Sequence, residues 1–258
     1  MTESKTPRSK GIYLLPNLFT TGALFAGYYS IIAGINGKFE ISAIAIFIAA
    51  LLDGLDGRVA RLTNTQSEFG EQYDSLSDLI SFGLAPSLLM YNWSLHSFVN
   101  VHPVMGKIAW LVAFVYAVSG ALRLARFNVQ IGTIDKAYFQ GLPSPAAAAL
   151  LSSFVWVAVD HDFSGESLRY VSLIVTLVSG LLMVSKFRYY SFKTLPFKES
   201  VPFVWVLLLV FIFVMLALAP AKVLFAVFSG YAIFGILLTL VGLKKKRRKK
   251  AKEIKDES

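Results

Sequence analysis

Asp53, Asp56, Asp74 and Asp78 are the residues whose type and spacing could do chemistry. They sit inside or at the edge of strongly apolar segments. Carboxylates at membrane depth are costly, so their default reading is functional. Asp53 and Asp56 are i,i+3, and Asp74 and Asp78 are i,i+4, so each pair lies on one face of a helix. Four aspartates cannot all stay ionised together without cations, because like charges disfavour each other's ionisation. Hard divalent ions with oxygen ligands resolve that conflict. Two such ions about 3.5–4 Å apart would hold a diphosphate and stabilise an in-line displacement at phosphorus.

Four further residues complete a pattern, D-x2-D-G-x2-A-R-x8-G-x3-D-x3-D, with Gly57, Ala60, Arg61 and Gly70. Gly57 and Gly70 lack a Cβ, so a nucleotide or a facing helix can approach their backbone. Ala60 keeps the same face shallow. Arg61 lies two turns on from Asp53, and its planar fork suits a phosphate. Eight fixed positions match at a given start with a chance on the order of 10⁻¹⁰, which removes coincidence as an explanation. The acids alone would also fit a buried ion-pair network with Arg58 and Arg61, or the cation pathway of a transporter.

The elements that must position these residues are membrane spans. The chain has 258 residues, 55% of them hydrophobic, with a mean hydropathy of +0.60. Apolar runs of about 20 residues recur, the length that crosses a bilayer core. They predict an all-α integral membrane protein with eight transmembrane helices, near 12–33, 40–62, 75–95, 107–128, 143–160, 168–185, 202–219 and 221–243. Pro16 suits a first helical turn; Gly34 and Gly37 mark the first turn between helices, and Pro143, Pro145 and Pro202 open helices. The first apolar run is full length and reads as a span, not a cleavable leader. Lysine and arginine set the orientation. With the N-terminus in the cytoplasm, 21 of the 25 lie inside, and only Lys38, Lys107, Arg169 and Lys222 lie outside. Both termini and the aspartates then face the cytoplasm, where nucleotides are. His96, His102 and His161 fall on the other side, and Trp93 and Trp156 fit an interfacial belt. No cysteine is present, which excludes disulfides, thiolate metal sites and cysteine nucleophiles. The basic run from Lys244 to Lys250 should attract anionic headgroups. No groove-reading element accompanies it, so no nucleic-acid partner is expected.

The eight-position pattern resembles the CDP-alcohol phosphotransferase family without a missing position. That resemblance implies a six-helix core over 12–198. A basic segment (1–11) precedes it, and an additional hairpin (199–243) and a polybasic tail (244–258) follow. The hairpin carries no acid and reads as lipid-facing scaffold or dimer surface. The resemblance implies two divalent ions, Mn²⁺ or Mg²⁺, on Asp53, Asp56, Asp74 and Asp78, with Asp78 also the general base and CMP the leaving group. Asn17, Thr20, Asp53, Gly57, Arg61 and Gly70 would bind the CDP-diacylglycerol; Asn17 and Thr20 belong to a P-N-x-x-T start common in the family. A capping or packing role fits those two equally.

Three other runs resemble the membrane-embedded (type II) phosphatidylserine synthases: Asp78–Pro86 (D-x2-S-F-G-x-A-P), Arg123–Asn128 (R-L-A-R-F-N) and Phe139–Ala147 (F-x-G-L-P-x-P-A-A). They imply L-serine as acceptor, a bacterial inner membrane and a homodimer. Arg123 and Arg126 are i,i+3 and would bind the lipid phosphate or the serine carboxylate, with Asn128 and Ser144 beside them. Snorkelling arginines and a small-residue packing face are the bland readings of the same residues. Choline, glycerol 3-phosphate or an inositol phosphate would suit the same chemistry. A choline site should want an aromatic cage, whereas paired arginines suit an acid group.

Overall fold

The structure is a computed structural model, and it describes residues 14–129, 138–190 and 203–256. The basic segment 1–11, Lys136, Lys193, Lys198 and Pro202 lie outside the described residues. The helices are α1 (Leu14–Ile35), α2 (Phe39–Thr63), α3 (Glu68–Asp78), α4 (Ala85–Trp93), α5 (Pro103–Val129), α6 (Ser144–Asp160), α7 (Arg169–Val184), α8 (Phe203–Leu218) and α9 (Pro220–Asp256). A π-helical turn, Leu79–Leu84, joins α3 to α4 into one continuous rod. A helix lies over each apolar run that the sequence marked, with the α3–α4 rod over the third. Pro16 falls in the first turn of α1, and Pro145 in the first turn of α6. Gly34, read as a turn residue, lies inside α1 against Ser42; the turn is made by Gly37, whose φ of +72° is natural only to glycine.

Among the described residues, three helices are long and apolar enough to cross a bilayer by themselves: Pro16–Ile35, Pro103–Val129 and Pro220–Leu240. The others are charged at one end, as α2 is, or short; α6, α7 and α8 have 16 to 17 residues. A helix of that length rises only about 24–26 Å.

Two features depart from the expected pattern of spans. One is a two-stranded antiparallel ribbon, β1 (Tyr138–Gln140) against β2 (Arg188–Tyr190), which pairs Gln140 with Arg188 and Phe139 with Tyr189. The other is α3, which begins at Glu68, a turn or two before the expected start at 75. Its cap explains the early start. Ser67 has extended backbone and its hydroxyl accepts the Gly70 N–H at 3.1 Å, with Glu68 and Glu71 in the first turn.

The core is built from small residues that let helices approach. Ala43, Ala45 and Ala49 are buried on α2, and Ala146 to Ala149 on α6. A side chain at Gly27 would press within 2.8 Å of the Ser81 Cα, so α1 can lie directly on the π turn. Trp93, expected at the interface, is only 7% exposed and stands edge-on to Phe154 at 5.7 Å. An indole this enclosed belongs to the core. Trp156 is half-buried, against Phe47.

The C-terminal hairpin divides into two different helices. Most described side chains of α8 are exposed large apolar groups, as a lipid-facing helix requires. By contrast, α9 turns Ala221, Phe225, Phe228, Ala232 and Gly235 inward, at alternating spacings of four and three. That stripe packs on α6 and β2, with Phe225 against Phe154 of α6 at 5.9 Å, and it also reaches α2, where Phe228 meets Phe47 at 6.2 Å. Helix α9 thus packs one stripe against the core while the rest of its apolar surface, including Val227, Ile233, Phe234 and Leu237, stays exposed. The α9 helix then continues through the basic residues to Asp256.

Candidate active site

Two antiparallel helices and a four-residue connection bring the aspartates together. Helix α2 ends at Thr63, where Asn64 takes the left-handed conformation (φ 51°, ψ 45°) and its N–H returns to Ala60 and Arg61. The chain reverses over Asn64–Ser67 and re-enters as α3. Carboxylate oxygens of Asp53, Asp56 and Asp74 then lie within 4.8 Å of one another. Asp78, one turn on from Asp74, lies within electrostatic reach of Asp53, so the fourth predicted ligand adjoins the other three.

The donor set fits a divalent cation. Every candidate ligand is a hard carboxylate oxygen. Asp74 Oδ1 is buried with no hydrogen-bond partner, a costly state that a cation would relieve. Among the described residues, no ion pair links these aspartates to Arg58 or Arg61; the one salt bridge joins Arg169 to Glu166 at 3.5 Å. The ion-pair network, one of the alternatives that the acids alone left open, is therefore not what holds the cluster.

A pocket of about 140 Å³ opens beside the cluster, between α1, α2 and α3. Asn17, Thr20, Asp56, Gly57, Ala60, Arg61, Gly70 and Asp74 all line it. Six of the eight pattern positions and both polar residues of the P-N-x-x-T start thus share one wall. A Cβ added at Gly57 would meet nothing within 4 Å, so its missing side chain leaves open space in the pocket. The same addition at Gly70 would come within 3.1 Å of Ser67 Oγ and 3.5 Å of Asn17 Oδ1. The buried Thr20 hydroxyl donates to Asp56 Oδ2 at 2.6 Å and so fixes one of the candidate ligands. Thr65, Gln66, Ser67 and Glu71 also line the pocket and were missed by the sequence reading. Only the capping pattern after Ser67 could have signalled them.

Arg123, Arg126 and Asn128, expected on the acceptor side, lie at the end of α5, and Ser144 lies at the start of α6. Arg123 is partly buried and its Nη1 donates to Ser144 Oγ at 2.9 Å. Its Nε is buried without a partner. Asp78 is within electrostatic reach of this guanidinium. Arg126 donates instead to the Gln140 side chain on β1. Asn128 is not free in the site: its amide donates to Ser75 Oγ at 3.0 Å and ties the end of α5 to α3. Snorkelling, the bland reading, fails for Arg123, whose guanidinium points inward.

The run Asp78–Pro86 acts on the geometry of Asp78. Pro86 has no N–H, so the carbonyl of Phe82, four residues back, loses its helical donor. The helix widens into a π turn there, and the Ala85 N–H bonds Ile80. The Tyr116 hydroxyl on α5 supplies the missing donor to the Phe82 carbonyl at 3.2 Å. Ser81 donates to the Ala23 carbonyl on α1 at 3.1 Å, and Gly83 faces Gly120 closely enough that a Cβ at Gly120 would sit 3.4 Å away. The turn immediately after Asp78 is thereby clamped to α1 and α5 together.

The CDP-alcohol phosphatidyltransferase family matches this sequence over residues 13–184. The chain belongs to that family. As a CDP-alcohol phosphatidyltransferase it is a transferase and a membrane protein, with three helices apolar enough to span. Metal dependence is a property of the family, and the aspartate cluster is its candidate seat. A protein of Helicobacter pylori (strain ATCC 700392 / 26695) named CDP-diacylglycerol–serine O-phosphatidyltransferase is 38% identical over 227 residues, covering 88% of this chain and 91% of its own. One of the same name from Methanocaldococcus jannaschii is 36% identical over 160 residues, 62% of this chain and 69% of its own. An archaetidylserine synthase of Methanothermobacter thermautotrophicus is 36% identical over 178 residues, 68% and 69% respectively.

Proposed function

We propose that this CDP-alcohol phosphatidyltransferase makes phosphatidylserine, transferring the phosphatidyl group of CDP-diacylglycerol to L-serine and releasing CMP. The observation that carries the acceptor is Arg123. It is an inward-facing guanidinium with an unpartnered Nε, held by Ser144 within reach of Asp78. A buried donor of that kind asks for an anionic partner, and serine's carboxylate supplies one. The names of three similar proteins favour the same acceptor chemistry.

The cytidine end lies in the pocket of Asn17, Gly57, Arg61 and Gly70, with Arg61 toward the diphosphate. Asp53, Asp56, Asp74 and Asp78 would hold two divalent ions, Mg²⁺ or Mn²⁺, whose charge would offset that of the diphosphate and favour the displacement at phosphorus. Asp78 takes the proton of the serine hydroxyl. The serine oxygen forms a bond to the phosphorus that carries diacylglycerol, the bond from that phosphorus to the oxygen of CMP breaks, and CMP leaves with the electron pair. Thr20 keeps Asp56 oriented throughout.

The remaining parts of the reading concern the whole chain. Eight spans, cytoplasmic termini and a cytoplasmic site in a bacterial inner membrane are supported by the 21-to-4 partition of basic residues. A homodimer fits the family's habit, and the exposed apolar face of α8 would serve lipid or a partner subunit. The test is purified protein with CDP-diacylglycerol, labelled serine and Mg²⁺ or Mn²⁺. Labelled lipid and CMP should appear in equal amounts, and neither should appear in EDTA. CMP released without serine in the lipid would refute the acceptor; no CMP with any alcohol would refute the reaction.

A further inference from the structure

The pocket beside the aspartates holds polar side chains that the eight-position pattern leaves open. Glu71 is one of the three unspecified positions between Gly70 and Asp74, and Gln66 lies in the connection before α3. Both line the pocket. So do Thr20, Thr65 and Ser67, but these hydroxyls are spent inside the protein. Thr20 donates to Asp56, Thr65 pairs with Thr63 at 2.7 Å, and Ser67 accepts the Gly70 N–H. Among the described residues, no hydrogen bond or ion pair engages the side chain of Gln66 or Glu71. The Glu71 backbone is nevertheless fixed on both sides. Its N–H donates to the Ser67 carbonyl at 3.1 Å, and its carbonyl accepts from Ser75 Oγ at 3.0 Å.

Position along the two antiparallel helices sets what Glu71 can meet. Asp56 and Asp74 mark the level at which a metal-held diphosphate belongs. Glu71 is one turn nearer the connection, about 4.5 Å along the axis. A carboxylate there repels phosphate and asks for a donor. We propose that Glu71 selects the base of the nucleotide, its carboxylate accepting from the exocyclic amine of cytosine while the Gln66 amide donates to the ring's acceptor edge. This rests on the pocket's being the nucleotide site and deepens that reading. Uracil carries a carbonyl where cytosine carries the amine. It would face the carboxylate acceptor to acceptor, and neither group would have a donor. The shared pattern then holds the phosphates, and a residue outside it reads the base.

The experiment measures CMP and UMP binding to the purified full-length protein by calorimetry in detergent with Mg²⁺ or Mn²⁺. It compares wild type, Glu71→Gln and Gly57→Leu. Glu71→Gln keeps the side chain's length and one acceptor oxygen, and adds N–H donors that uracil can use. Wild type should bind CMP at least about tenfold more tightly than UMP, the scale of one base-edge contact. In Glu71→Gln that ratio should fall to about one, while the metal concentration that half-saturates CMP binding stays within about twofold of wild type. Gly57→Leu puts a side chain into the open space of the pocket and should lose CMP binding. CMP bound by Gly57→Leu as tightly as by wild type would refute the nucleotide pocket itself, and the proposal with it. Where Gly57→Leu does lose CMP, three results would overturn the role of Glu71 alone. One is a wild type that binds CMP and UMP equally. Another is an unchanged ratio in Glu71→Gln, including the equal weakening of both nucleotides that a ribose contact would give. The third is a raised metal requirement in Glu71→Gln, which a metal ligand would give.

Discussion

Thr20 illustrates what residue types can and cannot say. Its place three residues after Asn17 marked it as a nucleotide contact, and it does line the pocket. Its hydroxyl, however, is spent on Asp56 at 2.6 Å, a pairing across 36 residues that no local pattern encodes. Groups that orient a metal ligand are worth about 10- to 100-fold in affinity or activity. Thr20→Val should therefore raise the Mg²⁺ or Mn²⁺ concentration needed for half-maximal rate by that much while Thr20→Ser restores it, as metal titrations of the rate would record. Asp78→Asn should lower kcat by about 10²- to 10⁴-fold, the usual worth of a general base, with CDP-diacylglycerol still bound in an equilibrium assay. The aspartates themselves were readable because their cost in an apolar segment demands a use. Asn128 was not: an amide at a helix end reads alike whether it meets a ligand or, as here, Ser75.

At the scale of elements, helix order and most turns followed from apolar run lengths and from glycine and proline. Two elements did not. The β1–β2 ribbon has three residues per strand, too few for a periodicity to register. The π turn has a cause visible in Pro86, but its consequence depends on Tyr116 reaching Phe82 from another helix. The run Ser81–Pro86, read as a mark of the acceptor, also forms the clamp that fixes the turn after Asp78. Tyr116→Phe would orphan the Phe82 carbonyl and should cost about 1–3 kcal/mol of stability, measured as a lower melting temperature in detergent. Pro86→Ala returns an N–H to that carbonyl. It should lower kcat more than it lowers melting temperature, because the rod would rewind and rotate Asp78 away from Asp53.

For the molecule as a whole, charge asymmetry was the most legible property: Arg58 and Arg61 lie near the end of α2, beside Asp53 and Asp56, and Arg123 and Arg126 lie near the end of α5. The role of the last two helices was hidden, because hydrophobicity alone does not separate a lipid-facing helix from a packed one. The spacing of Ala221, Phe225, Phe228, Ala232 and Gly235 separates them once α6 is known to lie opposite. A chain ending at residue 198 would keep all four clustered aspartates but lose the support of Tyr189 by Ala232. It should bind CDP-diacylglycerol yet transfer to serine at least tenfold more slowly, a loss on the scale of one charged hydrogen bond.

The most direct test of the central claim is the identity of the lipid product. The purified full-length protein would receive CDP-diacylglycerol, Mg²⁺ or Mn²⁺, and equal concentrations of serine, choline, glycerol 3-phosphate and an inositol phosphate, with products weighed by mass spectrometry. Phosphatidylserine as the dominant product, absent in Asp78→Asn and reduced in Arg123→Lys, is the predicted result. A dominant lipid bearing any other headgroup would contradict it.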